Sequence, residues 1–411
     1  MHIKCTNGSP IVDTLDHLPQ LPLFVHYTNF VLKGHRAINL TKQDELGIYH
    51  AIRLHGRVRH IDLELPPSIL HQVFGLLDEQ FPILEYLSLM FSATSKSDLP
   101  LTLPKAFLAP NLRHLALPSI SPPRRLRVLT STDSLVTLGL SGIQMSSYFR
   151  PRLLVARLSS LPRLRELSIG FSTLMPRPSA ERELLAEQGP PVMLPSLKIF
   201  RFKGVGAYLE SVVAQIRVPH LDQLRIALFN QIALVLPHTF QLINITKAFK
   251  LPRAAVGFYR GEVYITTSHH GSEWFEWGPF LLYVMCKQLD WQIDCAAQIC
   301  HAIIPALSYV EQLTLYHNYR EIMTESQNAA IDITTWHDLL RSFIGVQRLY
   351  IEHELSEELS RSLQVDEVGL DGGFLPDLRS IHARRNLFTS FMDARRVAGL
   401  PVTFSLWHYY W

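Results

Sequence analysis

The chain has 411 residues, 47% of them hydrophobic and 18% charged, so it has ample apolar area for a buried core and is no disordered tail. Lys and Arg total 39 against 36 Asp and Glu, a net charge of +3. That balance argues against a dedicated nucleic-acid domain, which would carry a stronger basic stripe.

At the N-terminus, Lys4, Asp13 and Asp16 interrupt the first 25 residues, and no signal peptide is expected. The longest apolar run, residues 280–286, is far too short to span a membrane. The four cysteines, at 5, 286, 295 and 300, follow no disulfide or metal spacing. Cys295 and Cys300 fall in one expected helix about 140° apart, so they are read as buried apolar thiols. Glycosylation patterns at Asn7, Asn39 and Asn244 are read as chance matches. The expected compartment is the cytoplasm or nucleus.

Thr41 followed by Asp44 marks a helix N-terminus, opening a helix that runs through Leu54. From there a unit of the form apolar-x-x-apolar-x-apolar recurs. It reads Val58/Ile61/Leu63, Leu84/Leu87/Leu89, Leu112/Leu115/Leu117, Leu135/Leu138/Leu140, Leu164/Leu167/Ile169, Leu197/Phe200/Phe202 and Leu221/Leu224/Ile226. It returns as Val310/Leu313/Leu315, Val346/Leu349/Ile351 and a weak copy at Leu378/Ile381. Central residues step by 26, 28, 23, 29, 33 and 24, and the 89-residue gap before Leu313 leaves room for about three more units. Val256 and Val284, in two β-rich runs, are expected to mark degenerate turns there.

Many units open on an apolar-Pro pair, as at Pro82, Pro110, Pro162, Pro195, Pro219 and Pro376. Proline cannot donate to a sheet ladder, so it belongs just before the strand. Helical patterns lie between strands at 68–80, 208–216, 292–304, 337–344 and 356–363. The expected fold is therefore α/β: an irregular leucine-rich-repeat-like solenoid, or horseshoe, with an inner parallel β-sheet and outer helices. Residues 1–55 would form an N-terminal segment with a capping helix, and 56–411 the solenoid with its C-terminal cap.

Regular repeats carry Asn or Cys three places after the last strand leucine. Here that place holds Pro66, Ser92, Ile120, Ile143, Ser172, Val205, Phe229, Asn318, Glu354 and Asn386, so no continuous side-chain ladder closes the turns. Long convex connections are expected at 93–106, 119–131, 175–192, 268–279 and 318–332.

Residues 18–23 (LPQLPL), 44–48 (DELGI), 57–61 (RVRHI), 81–87 (FPILEYL), 289–293 (LDWQI), 310–315 (VEQLTL) and 393–402 (DARRVAGLPV) together resemble the fungal family of F-box proteins with divergent leucine-rich repeats. The resemblance implies a substrate-recognition subunit of a cullin–RING ubiquitin ligase. In that family the F-box docks the ligase adaptor and the repeats hold the target. No F-box residue maps onto this chain, so an adaptor is an expected partner only if an F-box lies upstream. The alternative is a stand-alone protein-interaction scaffold.

Enzyme chemistry finds little footing. No phosphate loop, nucleophile elbow or zincin motif is present. Gly204 and Gly206 bracket a strand exit, but Leu209 occupies the third glycine place of a dinucleotide loop. Asp62 and Glu64 share one strand face and read as a solvated rim. His60, His114 and His382 should face the concave side on separate turns without converging on a metal. No cofactor or metal is expected, nor any nucleic-acid or membrane partner.

Two surface features are ambiguous between a recognition site and bland structure: the loop holding His269, His270, Trp274 and Trp277, and the basic run 122–127. The 407–411 tail is expected to cap the last turn. The third, fifth and seventh repeat positions face outward on the concave sheet, which singles out Arg201, Lys203 and Arg225, then Tyr316 and Tyr350. These are the candidate partner-binding residues, with an unidentified acidic or phosphorylated protein segment as target.

Overall fold

The computed structural model describes residues 21–27, 40–91, 103–118, 120, 129, 132–144, 149–172, 189–229, 234–259, 261–268, 278–286, 289–318, 333–363 and 375–407. Most of the expected long connections, the basic run 122–127, the aromatic loop 269–277 and residues 408–411 lie outside the described residues. The chain divides into two compact units: Met1–Gly204 with Ala214–His220, and Val205–Val213 with Leu221–Trp411.

In the first unit the strands form where the repeat sets apolar residues two apart. They are β1 (Leu23–Tyr27), β2 (Val58–Leu65), β3 (Tyr86–Phe91), β4 (His114–Pro118), β5 (Thr137–Ile143) and β6 (Glu166–Phe171). A short β7 (Val192–Met193) pairs separately with β9 (Ile216–Arg217), while β8 (Ile199–Gly204) joins the main sheet beside β6. Among β1 to β6 and β8 every neighbouring pair in the main sheet is parallel. Register aligns Ile61, Leu87, Leu115, Leu138, Leu167 and Phe200 in one row, none more than 1% exposed. Each such side chain contributes roughly 1.5–3 kcal/mol of burial, and all depend on one strand phase.

The apolar-Pro pairs do more than precede the strands. The amide of Leu112 donates to Ala109 at 3.1 Å, Leu164 to Leu161 at 3.1 Å and Leu197 to Leu194 at 3.3 Å. These units thus enter their strands through a four-residue turn with proline second, where its fixed φ suits the turn and its missing N–H costs nothing. Neighbouring turns are stitched together by side chains: Asn111 Nδ2 donates to the Pro82 carbonyl at 2.7 Å, and the Ser196 hydroxyl to that of Pro162 at 2.9 Å. At the place where regular repeats keep asparagine, Ile120 and Ile143 are buried instead, so apolar packing replaces the polar ladder.

Helix α1 (Lys42–Arg53) starts at the expected Thr41, whose hydroxyl accepts from the Asp44 amide while the Asp44 carboxylate accepts from the Thr41 amide. Helix α2 (Pro67–Leu76) matches the pattern at 68–80. Helix α3 (Pro151–Leu158), with Leu154, Val155 and Leu158 buried, was not expected from the sequence. Its one apolar face spans barely two turns, too short for periodicity to stand out. At Gly204 an added Cβ would meet the Phe171 and Phe202 rings at 2.8 and 2.9 Å, so this glycine serves ring packing.

The second unit opens with α4 (Gly206–Ala214) and β10 (Gln223–Leu228), followed by α5 (Pro237–Ile245). Next come β11 (Arg253–Tyr259), β12 (Glu262–Ser268) and β13 (Phe280–Met285), then α6 (Leu289–Ala302) and α7 (Ile304–Leu307). The remainder is β14 (Gln312–Asn318), α8 (Ile333–Arg341), β15 (Arg348–Ile351), α9 (His353–Leu363), β16 (Ser380–Ala383), α10 (Thr389–Val397) and β17 (Thr403–Leu406).

The gap between repeats does hold three strands, but not as three successive parallel turns. Spatial order is β10, β13, β12, β11, β14, reversed within the insertion, and β12 runs antiparallel to both neighbours. This corrects the expectation of a wholly parallel sheet and of Val256 and Val284 as ordinary repeat turns. The cause is local: Tyr259 pairs with Glu262 across a two-residue hairpin whose Gly261 has φ +85°, a conformation glycine adopts without strain. Alternation nevertheless carries through, with Leu282, Ile265, Val256 and Leu315 aligned and buried. Gln292 of α6 secures the insertion, its Nε2 donating to the carbonyls of Cys286 at 2.7 Å and Tyr259 at 2.9 Å.

Two further polar devices hold this unit. The buried Glu210 carboxylate accepts from the amides of His238 and Thr239 at 2.6 and 3.1 Å and from the Thr239 hydroxyl at 2.9 Å. It therefore caps α5 from another helix, where Leu236 offers no side-chain cap. Near the C-terminus, Arg395 donates to the carbonyls of Leu375 and Pro376, both at 3.2 Å, beside the left-handed Leu375 at φ +46°. Cys286, Cys295 and Cys300 are buried thiols joined in no disulfide, as the sequence suggests; burial pushes the Cys300 thiol well up. No helix among the described residues is long and apolar enough to cross a membrane.

Candidate functional site

The strand residues that point away from the buried rows form an open face in each unit. In a parallel ladder same-face side chains sit about 4.8 Å apart from strand to strand, which is suited to stacked rings. The first unit uses this spacing. His60 stacks on Tyr86 with centroids 4.1 Å apart and planes 9° apart, flanked by Phe24 at 5.6 Å and His114 at 5.7 Å. The His114 ring continues the row by a 3.1 Å hydrogen bond to the Thr137 hydroxyl. His60 and His114 thus lie on opposite sides of Tyr86, and Asp62 pairs with His26 at 3.1 Å.

Further along the same face stand the small residues Ala116, Gly139, Ser168 and Gly170. Arg201 and Lys203 follow on β8. The Arg201 guanidinium is bonded to the Glu166 carboxylate, whereas Lys203 is exposed.

The second unit's open face holds the other three candidates. Arg225 is half-buried, and Tyr316 and Tyr350 keep partial exposure. Tyr316 belongs to a cluster that the hairpin insertion assembles. Tyr264 lies 5.1 Å from Tyr316, 5.2 Å from Tyr259 and 5.7 Å from Tyr283 by ring centroids. Its ring lies over Gly257, where an added Cβ would meet ring atoms at 2.2 Å. Burial pushes the Tyr283 phenol well above its usual range, with Glu262 adding and Arg225 opposing. Tyr350 stacks on His382 at 4.3 Å and 7°, with Trp407 edge-on at 5.3 Å. Burial and then the Arg348 charge hold the His382 imidazole below its usual value.

The structure therefore sets Arg201 beside Lys203 in one unit and groups Tyr316 with three other tyrosines in the other. Tyr259, Tyr264 and Tyr283 escaped the sequence reading because their strands carry no complete repeat. Arg348 could have been found: it occupies the same repeat place as His60 and Tyr86. Among the described residues no group of three or more His, Cys, Asp or Glu could hold a metal ion.

Glu352 directly follows β15. Its carboxylate accepts from the His317 amide at 2.6 Å, continuing the ladder by a side chain. Burial raises the Glu352 carboxyl to about 7 despite that bond, and lowers the His317 imidazole to about 4.

Compared with protein-family models the chain matches none, and no curated protein sequence matches it. Among solved structures it is similar to the leucine-rich repeat-containing protein LegL7 from Legionella pneumophila, at 12% identity and a TM-score of 0.28. That alignment covers 97% of this chain and 98% of the other. At so low a score the likeness carries no argument, and the architecture rests on the pairing itself: a mixed α/β chain of mostly parallel strands, repeated at the spacing of its leucines.

Proposed function

We propose that this chain is a non-enzymatic protein-binding repeat domain, built as an irregular leucine-rich-repeat-like solenoid, whose open sheet face receives a target protein. The observation that carries the reading is the composition of that face. Rows of partly exposed Tyr, His and Arg stand on strands whose opposite rows are locked in the core. Tyr gives large contact at low conformational cost, and Tyr and Arg are enriched among the residues that dominate interface energetics. Arg201 and Lys203 in one unit, and Arg225, Tyr316 and Tyr350 in the other, are the contact residues of this proposal.

The test is affinity capture with the full chain, comparing Tyr316→Ala/Tyr350→Ala with Val397→Ala on α10, whose side chain is 84% exposed. Loss of captured proteins with the tyrosine pair alone supports the open face. Equal loss or equal retention refutes it. Small-angle scattering tests the solenoid: a horseshoe gives a radius of gyration well above the roughly 22 Å of a 411-residue globule.

The finer reading, resting on the motif resemblance, is that the domain is the substrate-recognition part of an F-box subunit of a cullin–RING ubiquitin ligase. Co-purification of the ligase adaptor with the product of the natural transcript supports it. A product that captures targets without adaptor is a stand-alone interaction scaffold.

A further inference from the structure

Register places Arg253, Gln312, Arg348 and Ser380 in a single row across β11, β14, β15 and β16. Their chain neighbours Ala254, Leu313, Leu349 and Ile381 are all buried, so this row belongs to the open face. Arg253 and Arg348 stand two strand spacings apart, about 10 Å, on either side of Gln312. Neither guanidinium has an ion-pair or hydrogen-bond partner among the described residues, in contrast to Arg201 with its Glu166 and Arg59 with its Glu85 at 3.0 Å. The adjoining row contributes Thr314 and the Tyr350–His382 stack, and the Ser380 hydroxyl lies 2.9 Å from His382 Nε2.

We propose that this row is a phosphoryl-group site, and that its occupant is a phosphorylated residue on an extended peptide laid along the second unit's open face. The inference rests on the reading of that face as the binding surface and deepens it by naming the ligand chemistry. Two arginines flanking Gln312 bring two positive charges to one row, with no carboxylate paired to either among the described residues. A carboxylate brings two oxygens and a single negative charge, whereas a phosphoryl group presents three oxygens and close to two negative charges, matching the two guanidinium charges. Gln312 and Ser380 supply neutral donors between and beside the arginines. The Tyr350 and His382 rings form a flat wall next to the row, against which a peptide can pack.

The experiment uses the full chain and a degenerate peptide library prepared in phosphorylated and unphosphorylated form, with inorganic phosphate as competitor. The phosphorylated library is expected to bind at least tenfold more tightly. Arg253→Gln and Arg348→Gln, each checked for an unchanged circular dichroism spectrum, should each remove most of that preference. Inorganic phosphate should compete, and rising salt should weaken binding to the parent more than to either variant.

Equal binding of the two libraries overturns the proposal, as does no binding by either. It also fails if the phosphate preference survives both substitutions, or if inorganic phosphate binds as tightly as the peptides. In each of these cases the Tyr316→Ala/Tyr350→Ala capture experiment still decides separately whether the open face binds a partner.

Discussion

Glu352→Gln should make the protein more stable at pH 8 and leave it nearly unchanged near pH 4.5. The carboxyl is raised by burial from 4.5 to about 7, with Glu354 adding and the His317 amide bond opposing. A raised acid favours the folded state while it is protonated. Its contribution is therefore complete below about pH 4.5 and is lost as pH rises toward 7. A shift of about 2.5 units corresponds to about 3 kcal/mol as a ceiling. Glu352 keeps partial solvent exposure, which screens the charge, so an effect of about 1–2 kcal/mol is expected.

Glutamine retains an oxygen for the His317 amide and carries no charge at any pH. His317 works in the opposite direction. Lowered to about 4 by burial, its contribution is present above pH 6.5 and is lost as pH falls toward 4. It is common to parent and variant, so it cancels in their difference. Urea unfolding followed by circular dichroism at pH 4.5, 6 and 8 measures that difference through the midpoint at constant slope. Parallel pH profiles for the two proteins would refute the argument that burial disfavours the Glu352 carboxylate beside β15.

Leu167→Asp should cost several kcal/mol by burying an unpartnered charge, whereas Ser168→Asp, on the open face, should cost under about 1 kcal/mol; equal damage in thermal melts would contradict the strand phase. Glu210→Ala should cost about 3 kcal/mol and speed amide exchange at His238 and Thr239 first, because it strips the buried cap from α5; unchanged exchange there would show that the cap is dispensable. Gly261→Val should cost at least about 1 kcal/mol at its positive φ, while the same change at Gly56, with open space around it, should be milder; reversal of that order in urea midpoints would argue against the hairpin.

Much of the repeat was legible because it depends on local chemistry. An alternation of apolar residues selects one face of a strand whatever its neighbours, and a proline second in a four-residue turn sets the entry to that strand. Ile61, Leu87, Leu115, Leu138, Leu167 and Phe200 fall in one buried row as their spacing implied. Thr41 and Asp44 close the capping box from four residues alone. His60 and His114 were also readable as open-face residues on separate turns.

What required the tertiary structure was the choice of neighbours. The segment from 253 to 285 has strand-like alternation that fits either three parallel turns or a hairpin. Gly261 allows the tight reversal, and the pairing of β13 with β10 and of β11 with β14 makes that reversal part of the sheet. Only then do Tyr259, Tyr264, Tyr283 and Tyr316 meet, drawn from strands whose order in space differs from their order in the chain. The same holds for charge. Arg201 and Arg348 look alike in the sequence, but one lies against Glu166 while the other stands in a row with Arg253 and no carboxylate partner among the described residues. Strand phase is a property of a few consecutive residues; the company a side chain keeps is set by pairings between segments dozens of residues apart.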